Sequence, residues 1–507
     1  MENYLKPVTR SLASILIGAL INILPLGSQA ATDTHPEPVL DYHLNWDGKS
    51  TCLSVKVDYS PTSKDSTIFT FGTEGLGGQQ DIFSVLTHIA GSLGDSVAVQ
   101  PGRKTIVVYH QDNSQKQLVY QIDGKSVTDT TNRALYNELF RPVIKDGFLY
   151  IVSLVFMVRP VGHPAQQVGI QWDTVVKDVS YFMSYAPDAN PLTRQVIPAQ
   201  QSTDLLLIAG TDITTKSYQV GKVPYYFVSS KRDTINNIQA VFAPFFERYF
   251  PAIRRFWNDP TGTYYYICAL PLLTKTKPMV GGFAWGPGFI LKYAGQFDNS
   301  KRETIAHETA HYWIGHKVSI GSDSFTDQWF GEGFNDYVAV INLVQSGIFT
   351  QTDYVDYVNK TNFALHYVSP VRDSSNASIA QQYWRNYQFQ KLPYRRGFVY
   401  AFYLDNQIRL ATKNQHSLRD VLLTLFDRQK RVEASPTSLT RQDFIDAVSR
   451  YLPKVQVERE VAEYIVNGKP LDFQAIQLMP GFSVQYNGVI PVLSLSSSVN
   501  LLDIYRW

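Results

Sequence analysis

The chain contains little cysteine, and this scarcity excludes two kinds of protein. Only Cys52 and Cys268 occur among its 507 residues, so neither a disulfide-built scaffold nor a thiolate metal site is expected. The two cysteines lie far apart in the sequence, and their pairing in an oxidising compartment stays open. Two buried, unreactive thiols are the favoured prediction.

The chain also lacks an excess of charge of either sign. Its 46 Lys and Arg residues nearly balance its 44 Asp and Glu residues, which gives a formal net charge of +2. That balance excludes the basic footprint of a nucleic-acid-binding protein. With 44% hydrophobic and 18% charged residues, the composition is that of an ordinary globular protein, and its length predicts about three domains.

After residue 30, no apolar stretch reaches the roughly 18 residues that a membrane-spanning helix needs. In the first 30 residues, Lys6 and Arg10 precede an apolar run over 12–26, and small residues follow at 28–30. This order is typical of a secretory signal peptide cleaved after Ala30. The alternative is an uncleaved anchor, for which the run is short. We expect an exported protein, periplasmic or extracellular, with no stable membrane span after signal removal.

Short alternating segments rich in Val, Ile, Tyr and Phe occupy the chain from about residue 38 to 230. Examples are Thr51 to Tyr59, Lys104 to Tyr109 and Phe148 to Val158. Alternation with a period of two residues is the pattern of half-buried strands. The sequence therefore predicts a β-sandwich-like domain in the front half of the chain.

After about residue 230 the apolar period becomes helical, beginning with an apolar face that comprises Ile235, Ile238, Phe242, Phe245 and Phe246. A strand-like segment over 263–270 and a glycine-rich loop from Gly281 to Gly288 follow. Helices are then predicted over 332–345, 394–411, 418–427, 441–451 and 458–466. Thr440 with Asp443 three residues later indicates a helix N-terminus. The tail, residues 471–507, is β-like again and has no assigned role.

The segment before residue 312 carries the pattern His-Glu-x-x-His inside a helical stretch. Residues four apart lie on one face of a helix, so His307 and His311 can bind one metal ion together. Glu308 then lies beside the open coordination position, where it can take a proton from metal-bound water. The alternative is a helix with two ordinary surface histidines.

A second segment supplies candidates that complete such a centre. Glu332 follows Trp329-Phe330-Gly331 at the predicted start of a helix and can serve as a third, oxygen ligand. Asp336, one helical turn on, can hold the outer nitrogen of a ligating histidine. Two histidines, one glutamate and a water make a tetrahedral catalytic site for one zinc ion.

These segments together resemble the gluzincin metallopeptidases, in particular the aminopeptidase N and glycyl aminopeptidase families. The resemblance covers residues 230–470 and the front half only by order of parts. Its motifs are His307-Glu308-x-Ala310-His311-x-Trp313-x-Gly315, then Trp329-Phe330-x-Glu332-Gly333-Phe334, and then Pro393-Tyr394-Arg395-Arg396-Gly397-Phe398, which is similar to the Tyr-x-Lys-Gly segment of these families.

The resemblance implies an α+β multidomain chain. A signal peptide over 1–30 and the β-sandwich-like domain over 31–230 would precede a thermolysin-like zinc catalytic domain over 231–347. A helical C-terminal domain over 348–470 and the β-like tail would follow. The implied activity is hydrolysis of peptide bonds in peptide or protein substrates, with Tyr394 donating a hydrogen bond to the oxyanion of the tetrahedral intermediate.

Two departures from these families bear on the activity. Twenty residues separate His311 from Glu332, where aminopeptidase N relatives have eighteen, and a loop can absorb the difference. In the glycine-rich segment, Ala284 stands where the families place a glutamate that binds the free amino terminus of the substrate. The choice between endopeptidase and aminopeptidase action therefore stays open. The neighbouring candidates for substrate contact are Gly281, Gly282, Phe283 and Trp285.

Several neighbours of the motif are predicted to have structural roles or to lie away from the metal. His316 lies about 140° around a helix from His311 and should point away from the metal. Ile305 and Trp313 are predicted core residues. The tyrosines at 264–266, with Trp285, either line a substrate cleft or pack the core.

Three alternatives to a peptidase remain at this stage. They are a metal-dependent hydrolase of a non-peptide substrate, a non-catalytic binding protein that retains zinc, and a structural secreted protein. The oligomeric state is left open by the sequence.

Overall fold

The computed structural model describes residues 39–71, 82–124, 139–272, 277–321, 325–432 and 439–507. The predicted signal peptide lies outside these residues. Within them, none of the helices combines the length and apolarity required to cross a membrane.

The front half of the chain folds into β-strands, as predicted. Strand β2, for example, alternates buried and half-buried side chains along its whole length, which is the pattern of a strand with one face in a core. The strands are β1 Leu40–Asn45, β2 Cys52–Tyr59, β3 Ser66–Thr70, β4 Leu86–Gly91, β5 Ser96–Gln100, β6 Thr105–Tyr109, β7 Lys116–Asp123, β8 Val143–Lys145, β9 Phe148–Val152, β10 Arg159–Pro160, β11 Gln167–Trp172, β12 Ser180–Met183, β13 Gln195–Pro198, β14 Leu206–Gly210, β15 Ile213–Val220, β16 Val223–Ser230, β17 Tyr265–Pro271, β18 Met279–Ala284, β19 Gly288–Ala294, β20 Phe482–Asn487 and β21 Ile490–Leu495.

Three sheets share one apolar core in this front half. Their strand orders are β13-β11-β1-β2-β7-β4, β10-β3-β6-β5 and β12-β14-β9-β8. Leu44, Val55 and Ile151 are fully buried within that core. The same core extends to Tyr266 and Ile290 of the next sheet, so burial of apolar surface continues from one sheet to the next.

The next sheet has five strands in the order β15-β16-β17-β19-β18. β16, β17 and β19 run parallel, and β15 and β18 are antiparallel to their neighbours. The sheet crosses residue 230, where the sequence places a domain boundary. Within the described residues, β18 pairs only with β19 and is therefore an edge strand.

The glycine-rich segment differs from its prediction. Residues 281–284 belong to β18, so the loop predicted from Gly281 to Gly288 is wrong over its first half. The chain turns only after Ala284, where Trp285 N donates to Gly288 O at 2.9 Å and Gly286 has a φ of +56°. Glycine is depleted in strands, and for that reason the sequence pattern indicated a loop.

Helices dominate after residue 330. The α-helices are α1 Ile238–Pro244, α2 Phe250–Phe256, α3 Asn299–Ala310, α4 Asn335–Gln345, α5 Gln351–Asp356, α6 Leu365–Tyr367, α7 Asn376–Gln382, α8 Tyr387–Ala411, α9 Leu418–Val432, α10 Arg441–Val448, α11 Lys454–Glu460 and α12 Leu501–Ile504. Wider π-helical turns span Phe245–Tyr249, Trp329–Phe334, Tyr357–Ala364 and Val461–Val466. Short 3₁₀ turns span Ile82–Val85, Pro101–Arg103, Ser153–Val155, Gln201–Asp204 and Phe473–Ala475.

The starts of two helices bear on the helical prediction. The helix N-terminus predicted at Thr440 is confirmed, since Thr440 and Asp443 form a reciprocal cap at the start of α10, which satisfies two backbone N–H groups. Ile235 lies before α1 and is 61% exposed, so the predicted apolar face begins at Ile238 instead.

The described residues divide into two compact units. One comprises 39–313, 338–354 and 500–507, and the other comprises 314–337 and 355–499. In the first unit, the C-terminal Trp507 packs edge-on against Phe256. In the second, the hairpin β20–β21 is attached through Asn359, whose side chain donates to Leu493 O and accepts from Leu493 N. The tail thus contributes to both units.

Both cysteines are free thiols. Cys268 is fully buried on β17, and burial raises its thiol pKa well above the ordinary range, which makes it unreactive. Cys52 on β2 is half-buried. The two residues do not pair, and only Cys268 fits the description of a fully buried thiol.

Candidate metal centre

His307 lies in the last turn of helix α3, and His311 is the residue that directly follows the helix. The helix begins after Asp298, whose carboxylate accepts from Lys301 N at 3.2 Å, an N-cap that fixes the start of the helix. The Nε2 atoms of His307 and His311 lie 3.0 Å apart, and the ring centroids 4.5 Å apart. Both rings are thus directed at a common point.

Glu332 completes a group of three. It lies in the π-helical turn Trp329–Phe334, and one ligand atom from each of His307, His311 and Glu332 falls within 4.8 Å of the others. Wide turns of this kind recur at functional sites because they re-aim a side chain. Asp336 is half-buried in the first turn of α4, and its role as a partner of a ligating histidine stays a prediction.

Glu308 is buried against the edge strand. Its side chain is only 6% exposed, and α3 packs on β18 and β19. A Cβ atom placed on Gly282 would lie 2.7 Å from Glu308 Cγ and 2.8 Å from Oε1. Real side chains do not approach so closely, so the glycine leaves the room that the carboxylate occupies.

The alternation of β18 sorts the other substrate-contact candidates. Successive side chains of a strand face opposite sides, so Ala284 shares the face of Gly282, and Gly281 and Phe283 face away from Glu308. The ring of Phe283 packs 4.6 Å from that of Phe140 and 5.4 Å from that of Trp285. Phe283 is therefore half-buried and packed against the apolar core on the face of the sheet opposite Glu308, and its role as a substrate contact stays a prediction.

Trp285 is held in the turn after β18. Its indole Nε1 donates to Leu205 O at 3.3 Å, and its own carbonyl accepts from Tyr266 Oη at 2.5 Å. Tyr265 and Tyr266 are fully buried. The core interpretation of these two tyrosines is therefore correct, whereas Tyr264 is half-buried.

Tyr394 lies in α8, seven residues after the helix begins, and is half-buried. The ammonium of Lys391, one turn earlier, lies 4.3 Å from its ring centroid. α8 crosses the turn that carries Glu332 at two glycines: a Cβ atom on Gly397 would lie 2.8 Å from Gly333 Cα and would overlap the carbonyl oxygen of Trp329. Tyr394 is three residues before Gly397, and Glu332 is one residue before Gly333. Both residues therefore lie close in sequence to this crossing.

Replacing Gly397 by Ala should therefore destabilise the protein by about 3 kcal/mol, because an added methyl group has no room against backbone atoms. Thermal unfolding, repeated in the presence of denaturant, measures the change in the free energy of unfolding. Gly331→Ala is the matched control, because a Cβ atom there would meet only the end of the Gln328 side chain, at 3.4 Å. An unchanged stability of the Gly397 variant would contradict the close crossing.

Arg396, in the same helix, holds several segments of the chain together. It donates to Asn376 Oδ1 at 3.0 Å and to the carbonyls of Ile465, Arg372 and Ser374. Burial lowers the pKa of its guanidinium to about 10. Its fork of donors ties the start of α8 to surrounding loops, as a lysine could not.

Asp327 is a supporting residue that the sequence reasoning missed. Its carboxylate accepts from Trp329 Nε1 at 3.2 Å and from Arg441 Nε at 2.8 Å, which fixes the start of the turn that carries Glu332. Arg441 is far from Asp327 in the sequence, and no local spacing pattern signals such a pair.

The structure also gives the burial of the remaining neighbours of the motif. Ile305 and Trp313 are buried core residues, as predicted. His316 is exposed and lies outside the metal-ligating group. The reason differs from the prediction, since α3 ends at Ala310 and the helical angle from His311 does not apply.

No protein-family model matches the chain, and no curated protein matches it. Among solved structures, an aminopeptidase N family protein from Idiomarina loihiensis superposes with a TM-score of 0.70 at 13% identity, over 88% of this chain and 79% of that chain. An M1 zinc metallopeptidase from Deinococcus radiodurans matches with a TM-score of 0.46 at 13% identity, over 86% of this chain and 95% of that one. A mutant of it bound to a Tyr-Ser-Ala substrate matches with a TM-score of 0.47, at the same identity and coverage.

The first of these likenesses shows the fold. The chain has a gluzincin aminopeptidase-like fold of the α+β class, in which sheets are followed by a helical C-terminal region. At 13% identity the likeness extends to the fold alone.

Proposed function

We propose that the chain is an exported zinc-dependent metallopeptidase that cleaves peptide bonds in the periplasm or outside the cell. The observation that carries the proposal is the convergence of His307, His311 and Glu332 within 4.8 Å, with the carboxylate of Glu308 buried beside Gly282. The pattern of residues 1–30 supports export.

The donor set suits one zinc ion. Two imidazole nitrogens and one carboxylate oxygen are the ligands of many catalytic zinc sites, and they leave a fourth position for water. Both cysteines are elsewhere, on β2 and β17. Zinc held by these three residues would supply Lewis-acid activation of a water and of the substrate carbonyl.

Glu308 and Tyr394 then have separate roles in the reaction. Glu308 takes the proton of the attacking water and passes it to the leaving amine. Tyr394 donates a hydrogen bond to the carbonyl oxygen as it becomes negative. Glu308 is buried against β18, in an environment of low dielectric constant. Electrostatic interactions with the charges that develop in the reaction are stronger there than in water.

The free edge of β18 offers a place for an extended peptide. All six residues of β18 are half-buried, and within the described residues no strand pairs with its outer edge. A peptide that adds to a sheet edge gains main-chain hydrogen bonds and needs few side-chain contacts. In this position its backbone would pass over the face that carries Gly282 and Glu308.

The substrate class is testable through Ala284, which lies on the same face of β18 as Gly282 and offers no carboxylate to an amino terminus. We expect cleavage of a mixed peptide library whether its amino termini are free or acetylated, followed by mass spectrometry. Loss of cleavage on acetylation would show that another group binds the amine. Absence of any cleavage by zinc-loaded protein would contradict the peptidase assignment and favour a binding protein or a hydrolase of another substrate.

Replacing Tyr394 by Phe should lower kcat by about 10²-fold and leave KM nearly unchanged, because the lost hydrogen bond forms mainly in the transition state. Steady-state kinetics on one cleaved peptide measure both constants. Tyr387→Phe is the matched control, since Tyr387 lies in the same helix and is 64% exposed. Equal kcat values for the two variants would contradict the catalytic role proposed for Tyr394.

A further inference from the structure

We propose that Arg254, a residue of α2, positions the metal ligand His311. The inference rests on the proposed function, because it concerns the same site. Arg254 is only 5% exposed. It donates from Nε to Tyr225 Oη at 2.8 Å and from Nη1 to the carbonyls of Asp259 and Thr261 at 3.1 and 3.0 Å.

The same guanidinium lies against the two residues that follow His311. Its central carbon is 5.6 Å from the ring centroid of Tyr312 and 5.7 Å from that of Trp313. These are distances at which a cation is attracted to an aromatic face, more strongly where water is excluded. Arg254 therefore holds two successive side chains of the segment that leaves the metal centre.

The loop that Arg254 organises makes a second contact with that segment. Asp259 Oδ2 accepts from Trp313 Nε1 at 2.9 Å, and Arg254 fixes the backbone of Asp259 itself. The ring of Trp313 also stacks on that of Trp257, at 6.1 Å and 6° between planes. Trp313 is thus held by its ring face and by its indole N–H, and both contacts depend on the loop after α2.

His311 needs this support more than His307 does. His307 lies within α3, where the helix continues beyond it, and Tyr249 Oη further anchors the carbonyl of Ala306 at 2.9 Å. His311 follows the last residue of α3, and on its C-terminal side the chain continues in 3₁₀-type turns, in which Tyr312 N donates to Thr309 O at 3.2 Å and Trp313 N donates to Ala310 O at 3.0 Å. The side chains of Tyr312 and Trp313, and hence Arg254, further fix the position of these turns and of the His311 ring that they carry.

Arginine is the residue type that this position requires. A lysine could keep the positive charge, but it could not reach a hydroxyl and two carbonyls with one rigid fork. Arg254→Lys is therefore the informative variant. Arg255→Lys is its matched control, because Arg255 is the next residue of the same helix and is exposed.

The test measures zinc affinity of the intact protein by competition with a chromophoric chelator, together with thermal unfolding of the metal-free protein. We expect Arg254→Lys to raise the zinc Kd about tenfold, the lower end of the effect of residues that orient metal ligands. Arg255→Lys should stay within about twofold of wild type. If Arg254→Lys does not fold, Trp313→Phe keeps the ring on Trp257, loses the contact with Asp259, and should weaken zinc binding in the same direction.

An unchanged zinc Kd for Arg254→Lys, with or without a lower unfolding temperature, would overturn the inference and leave Arg254 as a purely stabilising residue. That result leaves the proposed function intact, since the wild-type protein would still bind zinc. A wild-type protein that binds no zinc would instead overturn the proposed function and this inference with it.

Discussion

Glu308→Gln is expected to leave zinc bound while turnover falls about 10³-fold, the usual range for loss of a positioned general base. Glutamine has nearly the shape of glutamate and fits beside Gly282, but its amide cannot accept the proton of the attacking water. The measurement is kcat on one cleaved peptide, with zinc content determined on the same samples.

Glu303→Gln is the matched control for this substitution. Glu303 is a half-buried glutamate of the same helix, α3, and it is not among the three metal-ligating residues. Its variant should keep turnover within a fewfold of wild type. Full activity of Glu308→Gln would contradict the role given to Glu308, and zinc loss would show that Glu308 acts on the metal instead.

Gly282→Val should produce the second large effect. A Cβ atom at this position would lie 2.7 to 3.0 Å from three atoms of the Glu308 side chain, so the carboxylate must leave its place. Geometric displacement of a catalytic group by about 1 Å can cost about 10²-fold in rate. We expect kcat to fall by at least that factor while zinc affinity stays near wild type, because the substitution touches none of the three ligands.

Phe283→Leu separates this effect from a general weakening of β18. Phe283 is the next residue of the strand and faces away from Glu308, against Phe140 and Trp285. Its replacement should cost about 1 kcal/mol of stability with little change in kcat. Equal losses of kcat in both variants would mean that strand stability, and not room for Glu308, explains the glycine.

The sequence predicted that His307, His311 and Glu332 come together, because its signals are local, and their binding of zinc stays a prediction. The spacing of His307 and His311 places both on one helical face, and Glu332 follows in a recognisable aromatic segment. The strands of the front half were predicted for the same reason, since alternation along β2 is visible in the sequence. The end of α3 was missed, because the apolar pattern continues through Trp313 after the helix has stopped at Ala310.

The features that hold the site in place could not be predicted. The crossing of Gly333 and Gly397, the clamp formed by Arg396 and the network around Arg254 all join segments distant in sequence. The edge strand β18 was not predicted because glycine lowers the strand propensity of its segment. The strand nevertheless needs Gly282 for its close approach to Glu308. Residue pairing of this kind becomes visible only when the chain has folded.

The most direct test of the central claim is the zinc content of the purified protein, measured by elemental analysis after dialysis against buffer of low zinc concentration. The proposed site predicts one zinc ion per wild-type chain, and loss of that ion on dialysis for Glu332→Ala, because a two-histidine site holds zinc far more weakly. A wild-type protein without stoichiometric zinc, or a Glu332→Ala variant that retains it in full, would contradict the site.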